Sequence, residues 1–167
     1  MELFAYGSLM CEESLKRTTP KARIHGPVVL TGYQRVFNLR SPYRRNPETG
    51  VYSSALNIRE SKEHELNGVL IHVPDDEPGG LFIREKGYET REVEVLDLRT
   101  GDRRVVTTFV ATEHEPHPYV FNDPFQEEYL NICIRAAQRF GNEFAELFLT
   151  STFINGSPVK ELKLVSS

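Results

Sequence analysis

Short apolar runs separated by turn residues fill the chain up to about residue 111, and helical spacing takes over after residue 122. Residues 3–6 are apolar, Gly7 and Ser8 interrupt them, and Glu12, Glu13 and Leu15 follow in a segment free of β-branched residues before Thr18. That order predicts a strand, a tight turn and a helix. Residues 24–38 are rich in Val, Ile and Phe but punctuated by Gly26-Pro27 and Gly32, which predicts two short strands. Residues 41–50 carry Pro42, Asn46, Pro47 and Gly50 among Tyr43, Arg44 and Arg45, the composition of a long exposed loop.

Strands are predicted again over 54–58 and 66–73, the second a nearly continuous apolar run suited to burial on both faces. Pro74 ends it, and Leu81, Phe82 and Ile83 fit one or two helical turns that Gly87 stops. Charged and apolar side chains alternate over 91–96, and the Thr100-Gly101-Asp102 turn returns the chain into 105–111 as a hairpin. The clearest helix begins at Asp123, a carboxylate cap followed by Pro124 in the first helical position. Phe125, Tyr129, Ile132, Cys133, Ala136 and Phe140 recur at helical spacing up to Gly141, and Asn142 offers a cap for a second, shorter helix. Asn155-Gly156 then turns the chain into a last apolar run ending at Val165.

Strands segregated before helices predict an α+β fold, and the hairpin excludes a purely parallel sheet. With about six or seven strands whose edges need protection, the expected architecture is a small, mostly antiparallel, barrel-like sheet flanked by helices.

The 167 residues fit one domain over 1–167, and 39% hydrophobic with 26% charged residues is the balance of an ordinary folded protein. A net charge of −4 leaves no cationic excess to neutralise phosphates, so nucleic acid is not an expected partner. Cys11 and Cys133 have neither disulfide-framework density nor metal-motif spacing. A reducing compartment, no leader before the first apolar run and no stretch approaching the ~20 residues of a membrane span together lead to a cytoplasmic expectation without membrane partners.

Few segments carry chemistry on their own. The turn at Tyr6, Gly7, Ser8 and Leu9 places unpaired N–H groups at the start of a helical segment, where an anion can bind, although a plain turn and cap is the commoner meaning of such a pattern. Glu85, in Leu81-Phe82-Ile83-Arg84-Glu85-Lys86-Gly87-Tyr88, reads by itself as a surface carboxylate beside Arg84 or Lys86. Tyr129 reads by itself as a core tyrosine with its hydroxyl at the edge of the core. His114 and His117 lie between prolines with no third ligand in view, so no metal site is expected. Arg40, Arg44 and Arg45 read as a solvated loop, or as a loop long enough to cover a pocket.

Taken in order, these segments resemble the gamma-glutamylcyclotransferase superfamily, with its AIG2-like and ChaC-like branches. The resemblance rests on Phe4-Ala5-Tyr6-Gly7-Ser8-Leu9, then Gly68-Val69-Leu70, then Arg84-Glu85-Lys86-Gly87-Tyr88 with residues 91–95, and finally Glu128-Tyr129-Leu130 with the helix up to Gly141. It implies a small β-barrel with surrounding helices, a substrate α-carboxylate held by Tyr6, Gly7, Ser8 and Leu9, Glu85 as catalytic acid/base, and Tyr129 as a substrate contact. The chain departs from the family's common pattern at Phe82, where an Asp is frequent, and at Ala136-Ala137, where Gly-Ala is frequent.

The chemistry so implied is cyclisation of a γ-glutamyl amide. The substrate's own α-amino group attacks its γ-carbonyl, giving 5-oxoproline and releasing an amine or amino acid, and the reaction itself requires neither metal nor cofactor. The alternatives are a binding module for a carboxylate-bearing metabolite, without turnover, and a cyclotransferase for a specialised γ-glutamyl-amine. The leaving group stays open at this level.

Overall fold

The computed structural model describes residues 1–76, 78–112, 116–162 and 164. In chain order these residues form β1 (Glu2–Ala5), α1 (Glu12–Thr18), β2 (Arg23–Arg45), β3 (Tyr52–His72), α2 (Pro78–Arg84), β4 (Glu89–Asp97) and β5 (Arg103–Val110). Then follow α3 (Pro124–Gln138), α4 (Asn142–Thr150), β6 (Thr152–Ile154) and β7 (Ser157–Pro158). A single 3-10 turn, Ser8–Met10, separates β1 from α1.

Five strands close on themselves in the order β3-β1-β5-β4-β2, with β2 pairing back to β3, and β6 and β7 extend the sheet from β2. Within the ring only β1–β5 is parallel. Closure leaves the barrel strands without an open edge. The result is the expected α+β architecture, a mixed, barrel-like sheet with four helices around it.

The β2–β3 pair differs from the sequence expectation. The two short strands predicted over 24–38, and the separate strands over 54–58 and 66–73, are parts of two long strands paired from Arg23↔His72 to Arg45↔Tyr52. Register breaks at Ile24/Gly26, Thr31/Tyr33, Phe37/Leu39 and Arg40/Arg45 let both strands bend around the barrel without ending. Gly32, at φ +85°, occupies one break in a conformation that favours glycine. The first half of the exposed loop expected over 41–50 is strand as well: β2 runs to Arg45, and residues 46–50 make the turn. Asn46 is buried there, its side-chain oxygen accepting from Glu48 N at 2.9 Å and its amide donating to Asp123.

Local signals hold better. Asp123 caps α3 by accepting from the Phe125 and Gln126 N–H groups, with Pro124 opening the helix. The stripe of Tyr129, Leu130, Cys133, Ile134 and Ala137 faces the core, where each large side chain contributes about 1.5–3 kcal/mol. Asn142 opens α4 as its first residue, and Gly141, not Asn142, takes the cap position. Asn155-Gly156 joins β6 to β7, while Val165 lies outside the described residues. No described helix is long and apolar enough to cross a membrane.

Candidate active site

β1 pairs on both sides, with β3 and β5, so its end at Ala5 is fixed and residues 6–9 leave the barrel at a defined place. The Tyr6 hydroxyl donates to Phe109 O at 2.6 Å, and the Tyr6 carbonyl accepts from Arg35 Nη1 at 3.0 Å. In the turn itself, Met10 N donates to Gly7 O and Cys11 N to Ser8 O. Among the described residues, the N–H groups of Gly7, Ser8 and Leu9 have no backbone acceptor. They are the donors that a helical start leaves over. Gly7 keeps the adjoining space open: a β-carbon there would stand 3.5 Å from both Tyr129 Oη and Leu56 Cδ1.

Arg35 holds the turn from below. Its side chain is fully buried and makes five hydrogen bonds, to Tyr6 O, Asn67 O, Asn67 Oδ1, Ser151 Oγ and Thr152 Oγ1. The guanidinium lies 4.2 Å over the Phe148 ring. Burial lowers its pKa to about 9, which still leaves it cationic at neutral pH.

Glu85 arrives from the other side, just past α2. Leu81 anchors that helix in the core, and Gly80 packs so closely on the Thr18 carbonyl of α1 that a β-carbon would have no room. Glu85 N closes the last turn onto Leu81 O at 2.9 Å. The side chain is 13% exposed, and among the described residues its cationic neighbour is Arg84, with Nε 3.8 Å from Glu85 Oε1. Arg84 is largely committed elsewhere, donating to Ser14 O at 2.5 Å, Ser14 Oγ at 2.6 Å and Ser8 Oγ at 3.2 Å. Burial therefore outweighs the arginine and pushes the Glu85 carboxyl up to about 7.

Tyr6, Gly7, Ser8, Leu9, Glu85 and Tyr129 all line one small cavity of about 40 Å³, with Leu56, Tyr88 and Phe109. Ser8, Glu85, Tyr88 and Tyr129 also line a wider cleft of about 600 Å³, so the cavity forms its inner end. The Tyr129 hydroxyl accepts from Leu56 N at 3.2 Å. Tyr88 was not singled out by the sequence, yet it is bound through its hydroxyl to Leu56 O at 2.8 Å. The position following Gly87 was its only signal. Burial first, with the Glu85 charge adding to it, raises the pKa of Tyr6, Tyr88 and Tyr129. All three stay protonated hydroxyls at neutral pH.

Other candidates fall away from this site or change meaning. Burial pushes the Cys133 thiol up to about 12, so it supplies no thiolate. His117 spends its Nε2 on Tyr52 O, and His114 lies outside the described residues. Phe82 stands half exposed beside Phe109, with ring centroids 5.9 Å apart. Arg44 and Arg45 are not loop residues but the end of β2, and both line the wider cleft.

A closed five-strand barrel whose first strand opens into a cleft beside a buried carboxyl group is an architecture with solved relatives. No family model and no curated protein matches the sequence. Among solved structures, the chain is similar to a gamma-glutamyl cyclotransferase, with 20% identity and a TM-score of 0.73 over 88% of this chain and 85% of that one. It is similar to an uncharacterized protein from Homo sapiens at 22% identity and TM-score 0.71, over 88% and 85% of the two chains. YkqA from Bacillus subtilis shares 23% identity and a TM-score of 0.64 over 87% of this chain and 51% of its own. The chain therefore has the gamma-glutamyl cyclotransferase fold.

Proposed function

We propose that the chain is a cyclotransferase that converts a γ-glutamyl amide into 5-oxoproline and a free amine or amino acid. The observation that carries this reading is the Glu85 carboxyl, raised to about 7 and lining the same cavity as the turn of Tyr6, Gly7, Ser8 and Leu9. The unpaired N–H groups of residues 7–9 take the substrate α-carboxylate in the cavity they line. With that end fixed, the glutamyl chain folds back so that its α-amino nitrogen faces its own γ-carbonyl carbon. Positioning of this kind is worth several kcal/mol.

The α-amino group has a reference pKa of about 8 and must lose a proton before it can attack. Glu85, near half ionised at pH 7, takes that proton. The new C–N bond closes the five-membered ring, and the bond from the γ-carbon to the leaving nitrogen breaks. Glu85 then returns that proton to the departing nitrogen and regains its starting form, while the ring nitrogen gives up its second proton, which ends on the freed amine as its ammonium. A carboxyl of ordinary pKa would accept the proton less readily, so the raised value suits both halves of the cycle. Tyr129, with its hydroxyl at the cavity wall, contacts the glutamyl part.

A screen of γ-glutamyl compounds by mass spectrometry tests the reading. Release of 5-oxoproline by the wild-type chain, and its loss in Glu85→Gln, is the expected result. Binding of γ-glutamyl compounds without any 5-oxoproline would return the chain to the binding-module alternative.

A further inference from the structure

Away from the cleft, three adjoining strands bring together one carboxylate and two imidazoles. Glu2 opens β1, which pairs with β3 in a register that sets Glu2 opposite His72. On its other side β3 pairs with β2, Ile24 facing Ile71 and Gly26 facing Leu70. His25 is the extra residue of that register break, and its ring meets the His72 ring edge-on, with centroids 6.0 Å apart. One ligand atom from each of Glu2, His25 and His72 lies within 4.8 Å of the other two. None of the three residues lines the cleft or the inner cavity. Glu2 stands at the start of β1 and the Tyr6 turn just past its end, about 13 Å away at about 3.3 Å per residue.

Hydrogen bonding leaves this group incomplete. His72 Nδ1 lies 2.8 Å from Glu2 Oε1, a contact that orients both side chains. Glu2 Oε2 is buried without a hydrogen-bond partner among the described residues, and the His25 ring makes neither a hydrogen bond nor an ion pair among them. A buried carboxylate oxygen left unmatched is costly, and a bound cation would satisfy it. The donors decide which cation fits. Imidazole nitrogens with a carboxylate suit zinc and its late first-row neighbours, whereas magnesium and calcium take oxygen ligands and copper(I) takes sulfur. Zinc bonds of about 2.0 to 2.1 Å set tetrahedral ligand atoms about 3.3 Å apart, so these three atoms need to close by at most about 1.5 Å. Their exposure allows that movement: the His72 and Glu2 side chains are 42% and 38% exposed, and His25 is exposed.

We propose that Glu2, His25 and His72 bind one divalent transition-metal ion of the zinc type, with water completing its coordination, at the end of the barrel remote from the cleft. The ion ties β1, β3 and β2 together. Because its ligands meet only in the folded barrel, it binds the native chain and stabilises it. No spacing motif announces such a site, since Glu2 and His72 are 70 positions apart and only the strand pairing joins them.

Titration of the untagged chain, first freed of metal by a chelator, makes the test, with ZnCl₂ followed by calorimetry and CoCl₂ by visible absorption. One equivalent of either ion should bind. Zinc at about one hundred times its Kd should raise Tm by about 5 to 10 °C, and EDTA should reverse the rise. MgCl₂ should give no such shift. His25→Ala removes an exposed ligand and Glu2→Gln keeps the carboxylate's shape, so both variants should fold. Each should weaken zinc binding by more than about tenfold, the least that loss of even an outer partner of a metal site costs. Absence of saturable zinc binding near one equivalent overturns the proposal. Zinc binding that His25→Ala and Glu2→Gln both leave unchanged overturns it too, because other groups would then hold the ion.

Discussion

Glu85 and Asp97 are both shielded carboxyl groups, at the two ends of the β4 segment, and their pKa values move in opposite directions. Asp97 is 0% exposed, but its own neighbours do the covering. Arg99 Nη2 lies 3.2 Å from Asp97 Oδ2 and Arg104 Nε 3.5 Å from it, while Arg99 N donates to Oδ1 at 2.9 Å. The hydrogen bonds from the Arg99 side chain, then that from its backbone, hold the Asp97 carboxyl below its ordinary 3.8. Glu85 is enclosed instead by aromatic and aliphatic groups and by an arginine already bound to Ser8 and Ser14, and it rises to about 7. Burial alone does not decide the state of a carboxyl; what covers it does. One arrangement pins a turn, and the other leaves a carboxyl balanced near neutrality.

The largest expected effect separates the two in catalysis. Glu85→Gln keeps the shape and cannot carry a proton, so kcat for 5-oxoproline release should fall by about 10² to 10⁴, with KM little changed. Asp97→Asn should leave kcat within about threefold. Comparable losses in the two variants would erase the distinction.

Stability should separate them with opposite sign. A carboxyl whose pKa is raised on folding favours the folded state below its unfolded pKa, and that contribution disappears as pH rises through the folded value. For Glu85 the window runs from 4.5 to about 7, a gap equivalent to about 3 kcal/mol. Glu85→Gln should therefore unfold at higher denaturant concentration than wild type above pH 7, with the advantage fading toward pH 4. Wild-type stability equal to that of the variant at pH 8 would show that folding does not penalise the Glu85 charge.

Asp97 runs the other way and more weakly. Its depressed pKa stabilises the fold above 3.8 and loses that contribution as acid protonates it. Arg99 and Arg104 are each 43% exposed, so solvent screening limits the effect to about 1 kcal/mol. Asp97→Asn should cost about that much in urea unfolding at pH 7 and progressively less as the pH falls through the lowered Asp97 pKa. The smallest effect belongs to Tyr129→Phe, which keeps the ring and removes the hydroxyl that accepts from Leu56 N. A severalfold fall in kcat/KM with an intact fold is expected, and unchanged kinetics would return Tyr129 to the core.

The same contrast separates what the sequence could tell from what it could not. Asp123-Pro124 and the alternation over 91–96 act on neighbours a few residues away, so the α3 cap and the β4–β5 hairpin were legible. The long β2–β3 pair was not, because each bulge imitates a strand end. Glu85 could be named only through the resemblance, since the residues beside it in sequence, Arg84 and Lys86, describe a surface ion pair. Its burial comes from Tyr6, Tyr88 and Tyr129, brought together by the barrel. Arg35 was missed for a similar reason: its acceptors lie 29 to 117 positions away. Arg44 and Arg45 looked like a solvated loop because Pro42 and Pro47 bracket them, although Arg45 pairs with Tyr52 as strand.

The pKa of Glu85 itself is the most direct test. In protein labelled with ¹³C at the glutamate side-chain carboxyl carbons, the Glu85 signal can be assigned by its absence from Glu85→Gln and followed from pH 4 to pH 9. A midpoint close to 7 is the predicted result, well separated from the exposed glutamates. A midpoint near 4.5 would contradict the account, because Glu85 would then be an ordinary surface carboxylate with no proton to exchange at neutral pH.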